Sequence, residues 1–203
     1  MKPLVLASGN AGKLRELAAL LAPLNLRLIS QGELGIPSVP ETGSTFLANA
    51  VLKARHAAAR SGLAALADDS GLEVDALGGR PGVWSARFAG EGASDAANLQ
   101  RLLEELDEVP DAARQARYQC VIACVRDAQD AAPLIASGTW EGRIVREPLG
   151  SGGFGYDPVF VPAGEMLTAA QLPPAHKNAR SHRAQALHAL VAGLADEGYI
   201  AAP

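Results

Sequence analysis

Three observations predict a mixed α/β fold. Short apolar runs alternate along the chain with longer segments whose apolar residues recur at intervals of three and four. Helix caps and turn residues separate the two kinds of segment. With 203 residues and 48% apolar side chains, the chain suits one domain with room for two lobes and a substantial core.

Pro3 to Ala7 reads as the first strand. Lys13 to Leu21 reads as a helix, with Leu14, Leu17, Ala18 and Leu21 on one stripe. Leu26 to Ile29 is a second strand. Thr45 to Ala59 is a helix capped by Ser44 or Thr45, with Gly62 just past its end. Strands are expected over Leu63 to Ala67 and Leu72 to Leu77, with a turn at Ser70-Gly71 between them. Ser94 caps a helix from Asp95 to Leu106. Arg117 to Val125 alternates Tyr118, Cys120, Ile122 and Cys124 against a second set, which is strand periodicity. Leu134 to Trp140 and Arg143 to Val145, separated by Glu141-Gly142, predict a hairpin. Ser181 opens a last helix to about Leu194. Repeats, charge blocks and low-complexity linkers are absent, and nothing marks a clean domain boundary.

Composition narrows the function. A net charge of −4 argues against broad, sequence-independent nucleic-acid binding, which needs clustered Lys and Arg. The apolar start at Leu4-Val5-Leu6-Ala7 is too short for a signal sequence, and no apolar run approaches membrane length. Cys120 and Cys124 would share a strand face roughly 13 Å apart, too far for a disulfide. Two reduced thiols and a cytoplasmic setting are expected.

Five constellations carry chemistry. Ala67-Asp68-Asp69-Ser70-Gly71 sets two carboxylates after an apolar run, where unpaired charge is costly; it reads as a cation-binding strand end or as a solvated turn. Ser8-Gly9-Asn10-Ala11-Gly12-Lys13 is a small-residue loop opening a helix. Free amides there favour an anion, and Lys13 is poorly placed for the helix dipole unless something negative lies beside it. It is not the common P-loop, because Leu14 stands where a Mg²⁺-binding Ser or Thr would follow the lysine. Lys53 borders the buried face of its helix and either snorkels to solvent or meets anionic oxygens in a cleft. Glu41, after Pro40, reads as a surface carboxylate by itself. Gly152-Gly153-Phe154-Gly155-Tyr156-Asp157-Pro158 clears space around two rings and suits a stacked planar ligand or a core turn. Lys177 and Ser181-His182-Arg183 place cations at a second helix start, again pointing to an anionic or polar ligand.

In this order, Ser8-Gly-Asn-x-x-Lys13, Ala67-Asp-Asp-Ser-Gly71, Gly78-Gly-Arg-Pro-Gly-Val-Trp-Ser-Ala-Arg87, Gly153-Phe-Gly-Tyr-Asp-Pro158 and Ser181-His-Arg183 closely resemble the inosine triphosphate pyrophosphatase family of non-canonical purine nucleotide pyrophosphatases, over about Leu4 to Leu190. Two departures are Gln171, where a Glu is usual, and Pro173-Pro174-Ala175-His176 in place of an acidic stretch. The resemblance implies a two-lobed α/β fold around a long mixed sheet flanked by helices, with a cleft between the lobes, and a homodimer. It also implies Mg²⁺-dependent cleavage of inosine, deoxyinosine and xanthosine triphosphates to monophosphate and pyrophosphate. By position, Ser8, Gly9, Asn10, Ala11, Gly12, Lys13 and Lys53 would hold the triphosphate. Asp69 would be base and Mg²⁺ ligand, Glu41 a second metal carboxylate and Asp68 a supporting one. Ser70, Phe154, Gly155, Tyr156, Asp157, Lys177, His182 and Arg183 would bind the nucleoside. No Ser, Cys or His is well placed as a nucleophile, so direct attack by water is expected. Two rivals stand beside this reading: a Maf-type pyrophosphatase acting on pyrimidine triphosphates, and a non-enzymatic nucleotide sensor. The Phe-Gly-Tyr-Asp-Pro and Ser-His-Arg segments count against the first, and the surplus of carboxylates beside the phosphate loop against the second.

Overall fold

The computed structural model describes residues 2–24, 26–196 and 198. Among the described residues, eleven strands and α-helices run in the order β1 (Pro3–Leu6), α1 (Ala11–Leu21), β2 (Arg27–Ser30), α2 (Phe46–Ser61), β3 (Ala64–Val74), α3 (Asp95–Glu105), β4 (Gln115–Val125), β5 (Leu134–Ile144), β6 (Phe160–Pro162), α4 (Pro174–Arg180) and α5 (His182–Asp196). The strands among the described residues form one six-stranded sheet in the order β2-β1-β3-β4-β5-β6. β1 is parallel to both β2 and β3, whereas β5 and β6 are antiparallel, so the sheet is mixed. The predicted mixed α/β class, with helices flanking the sheet, is the class observed.

Capping side chains set the helix starts. Asn10 accepts from the Lys13 amide, Thr45 from Ala48 and Ser94 from Ala97, so one orphan donor at each of three helix N-termini is met locally. α1 accordingly starts at Ala11, two residues before the expected Lys13. No helix among the described residues is long and apolar enough to cross a membrane. Cys120 and Cys124 are both buried and form no disulfide.

Two strand predictions need correction. Ser70-Gly71 is not a turn: β3 runs unbroken for 11 residues through the acidic pair. Local turn preference yields because Leu72 and Val74 continue into a buried cluster, where the Leu72 amide donates to Ser85 Oγ at 2.9 Å. Glu141-Gly142 is not a hairpin either, since β5 is also one 11-residue strand. Gly142 lies opposite Pro162 of β6, and a Cβ there would come within 2.6 Å of the Phe160 ring. The glycine permits close approach of a neighbouring strand. β6 and α4 are additions, each too short to leave a periodic signal.

The chain divides into two compact units. Unit 1 takes the described residues of 1–69, 120–138 and 183–203, and unit 2 those of 70–119 and 139–182. In unit 1, strand alternation sends Leu4, Leu6, Leu66, Cys120, Ile122 and Cys124 into a cluster with Leu17 and Leu21 of α1 and Leu187, Leu190 and Leu194 of α5. The intervening residues Val5, Ala7, Ala65, Ala67, Ala123 and Val125 pack on Ala50, Ala54, Ala57 and Ala58 of α2. Four alanines at helical spacing make a narrow stripe on α2. Unit 2 has its own core, in which Leu99, Leu102 and Leu106 meet Leu72, Val74, Tyr118, Trp140, Ile144, Tyr156 and Phe160.

Candidate active site

Unit 1 gathers the phosphate-type loop and the acidic strand. Ser8 Oγ accepts from the Asn10 amide at 3.2 Å, and Asn10 Oδ1 accepts from the Lys13 amide at 3.0 Å. The first turn of α1 holds no acidic residue, so nothing of the helix's own neutralises its positive end.

Strand alternation separates the two aspartates. Asp68 follows Leu66 onto the face covered by α1 and α5, where its Oδ2 lies 3.3 Å from Lys13 Nζ and 3.3 Å from Arg183 Nη2. Arg183, 1% exposed, also pairs through Nη1 with Glu16, one turn along α1 from Lys13. Asp69 follows Ala65 and Ala67 onto the α2 face. There Lys53 Nζ donates to Asp69 Oδ1 at 2.9 Å and to Glu41 Oε1 at 2.6 Å. Asn49 Nδ2, one turn before Lys53, donates to Asp69 Oδ2 at 3.1 Å, while its Oδ1 takes the Gly43 amide at 2.8 Å. Asn49 therefore ties Asp69 to the loop that carries Glu41.

The neighbours push the two carboxyls in opposite directions. Burial disfavours the charge on Asp68, but Lys13, Arg183 and Lys53 outweigh it and hold the group well below the usual carboxylate range. At Asp69, burial, reinforced by repulsion from Glu41, prevails over Lys53 and Lys13, and its pKa rises. Lys53 is disfavoured by burial yet raised by Asp69, Asp68 and Glu41 together, so it stays protonated. One ammonium serves three carboxylates, and Asp69 receives only a share of it. Burial, with Asp68 nearby, pushes the Cys120 thiol up to about 12, which leaves it inert.

Glu41 and Asp69 converge on a single cation, Lys53 Nζ. Among the described residues, no group of three or more His, Cys, Asp or Glu side chains is arranged to hold a metal ion. Two carboxylates suit Mg²⁺, which is usually held by one or two of them together with substrate phosphates and retained waters.

Unit 2 gathers a polar cluster around Asp157. Its Oδ2 accepts from the Phe154 amide at 2.9 Å and from Lys177 Nζ at 2.5 Å, and its Oδ1 from the Tyr118 hydroxyl at 3.3 Å. Lys177 Nζ also sits 5.1 Å from the centre of the Phe154 ring. The His182 ring lies on that of Tyr118, with centroids 4.8 Å apart and planes 9° from parallel. Tyr156 points into the core and donates to the Ser85 carbonyl at 2.8 Å, its pKa raised by burial. The Gly155 amide is held by Asp95 Oδ2 at 2.8 Å. Ser70 follows Asp69 on β3 as a half-buried residue, the first of unit 2.

Gly153 has φ +72°, and a Cβ there would collide with Asp157 Oδ2. Gly153→Ala is expected to destabilise the protein by about 1–3 kcal/mol, from left-handed strain and displacement of the carboxylate. Urea unfolding of the variant beside wild type measures the loss.

The two departures from the family pattern fit locally. Gln171 Oε1 accepts from the Thr168 amide at 3.0 Å, a role its amide oxygen can fill, and Pro174 opens α4 at a position where no amide is needed. Sequence reasoning gave no role to Asn49, Glu16, Tyr118 or Asp95. The spacings Asn49/Lys53 and Lys13/Glu16 place those pairs on shared helix faces, a usable signal. Tyr118 and Asp95 carried none, since their partners lie 39 and 60 residues away.

Known proteins resemble this chain over most of its length. The model of the Ham1 family matches residues 4–193. The dITP/XTP pyrophosphatase of Methylococcus capsulatus (strain Bath) is 58% identical over 193 residues, 95% of this chain and 96% of that protein. The dITP/XTP pyrophosphatase of Shigella flexneri is 57% identical over 194 residues, 96% of this chain and 98% of that protein. A solved HAM1 protein from Coxiella burnetii superposes with a TM-score of 0.88 at 51% identity, covering 97% of this chain and 100% of that one. Likeness of this extent, in sequence from end to end and in fold, leaves one assignment: the chain belongs to the Ham1 family.

Proposed function

We propose that this protein is a nucleoside triphosphate pyrophosphatase, a hydrolase of non-canonical purine triphosphates such as inosine, deoxyinosine and xanthosine triphosphate. The observation that carries the reading is the ion-paired set of Lys53, Glu41 and the buried Asp69 in the unit that also holds the Ser8–Lys13 loop. The names of the full-length relatives support the substrate class.

In this proposal the Ser8–Lys13 loop, with its Lys13 side chain, and Lys53 hold the triphosphate. Asp69 orients a water and takes its proton as the water oxygen bonds to the α-phosphorus. The bond from that phosphorus to the bridging oxygen breaks, and pyrophosphate leaves as one unit. Glu41 and Asp69 would hold Mg²⁺, which when bound supplies positive charge to the phosphoryl oxygens. Asn49 keeps Asp69 aimed, and Lys53 prevents Glu41 and Asp69 from repelling each other apart.

Ser70, Phe154, Gly155, Tyr156, Asp157, Lys177, His182 and Arg183 are assigned to the nucleoside, with Tyr156 acting from the core as a support for its loop. Arg183 is held in orientation by Asp68 and Glu16. Hypoxanthine and xanthine carry an acceptor oxygen at C6 where adenine carries an amino donor, so donors such as Lys177 favour the former. A site built on buried hydrogen bonds can discriminate by on the order of 10⁴. Homodimerisation, carried by the resemblance alone, and a cytoplasmic setting, carried by the two reduced cysteines, are part of the same proposal.

The test is a panel of purine and pyrimidine triphosphates with Mg²⁺, read by phosphorus NMR. Inosine triphosphate is expected to give monophosphate and pyrophosphate in equal amounts, and EDTA to stop turnover. Orthophosphate with a diphosphate would overturn the cleavage point. Preference for pyrimidine triphosphates would favour the Maf-type reading, and binding without turnover the sensor.

A further inference from the structure

Tyr118 makes directed contacts that filling space in the core does not require. It lies on β4, 8% exposed, with its ring edge-on to Phe160 at 4.7 Å. That contact fixes the ring in the core of unit 2. One side of the ring lies flat against the imidazole of His182, the first residue of α5. A histidine at a helix start has two rotatable side-chain bonds, and a parallel ring 4.8 Å away restricts both. The Tyr118 hydroxyl donates to Asp157 Oδ1, while Asp157 Oδ2 receives Lys177 Nζ and the Phe154 amide. Engaging Oδ1 sets the rotation of the carboxylate, and so the place where Lys177 and the Phe154 backbone meet it.

We infer that Tyr118 is a positioning residue for nucleoside recognition: one ring orients His182 by stacking, and its hydroxyl orients Asp157 and through it Lys177. The inference rests on the reading that these groups bind the nucleoside. Tyr118 acts through them.

The test uses the full-length protein with Mg²⁺, titrated separately with inosine monophosphate and inorganic pyrophosphate. Tyr118→Phe keeps the stack and removes the hydroxyl; it is expected to weaken inosine monophosphate about threefold to tenfold and leave pyrophosphate unchanged. Tyr118→Leu removes both contacts and is expected to cost more than about tenfold on the monophosphate alone, a larger loss than in the Phe variant. Wild-type affinity for the monophosphate in a folded Phe variant, or equal losses on both probes, would overturn the inference. If the Leu variant does not fold, the Phe variant decides. A wild-type protein that neither binds inosine monophosphate nor hydrolyses inosine triphosphate would overturn the functional reading and this inference with it. Wild-type turnover combined with unaltered Phe and Leu variants would overturn the inference alone.

Discussion

Asp69→Asn is expected to lower turnover on inosine triphosphate by on the order of 10²–10⁴ without lowering stability. The substitution keeps the shape of the side chain and removes the charge that would take the water proton and bind the metal. The stability half follows from linkage. The pKa of Asp69 is raised in the folded protein, chiefly by burial. The folded state therefore gains stability as pH falls through that raised value, and above it the ionised carboxylate is a net cost. An amide removes that cost at neutral pH, and Lys53 keeps its 2.6 Å contact with Glu41. Steady-state assays beside thermal melts check both halves. Near wild-type turnover at saturating Mg²⁺ would remove Asp69 from the mechanism, and a large drop in Tm would show that its charge serves the fold.

Its neighbour is expected to behave in the opposite way. Asp68→Asn should cost roughly 3 kcal/mol of stability, because it leaves Arg183 and Lys13 facing a neutral group in the interior. Lys13, Arg183 and Lys53 overcome the burial penalty to depress the pKa of Asp68. Its contribution is then fully present above the ordinary value of 3.8 and is lost as pH falls through the lower folded value. Wild-type and variant stabilities should converge only in strong acid. Denaturant titrations at neutral pH and at several acid values test this, and a variant as stable as wild type at neutral pH would refute it. Adjacent residues of the same chemistry are thus expected to divide structural and catalytic duties, because a strand sends them to opposite faces.

Much of the site was legible because its chemistry is local. A capping Asn, small residues and a lysine at a helix start occupy six consecutive positions from Ser8 to Lys13, and one turn of α2 sets Asn49 beside Lys53. Glu41 was not legible as a site residue from its own surroundings. It reads as a surface carboxylate until the fold brings it within 2.6 Å of Lys53, which lies 12 residues away. Tyr118 was equally silent, since alternation along β4 explains a buried aromatic there without reference to its hydroxyl.

The sequence by itself determined the α/β class, the helix caps and the set of charged and glycine-rich motifs, because these depend on periodicity and on contacts within about one helical turn. Only the tertiary structure decided that Ser70-Gly71 and Glu141-Gly142 continue strands instead of turning. A turn preference is worth little beside the ladder hydrogen bonds and side-chain burial that a sheet offers, and those come from residues far along the chain. The same continuity of β3 decided the chemistry. A turn would have left both aspartates at its surface, whereas an unbroken strand buries them and assigns Asp68 to the cations of α1 and α5 and Asp69 to Lys53 and Asn49 of α2.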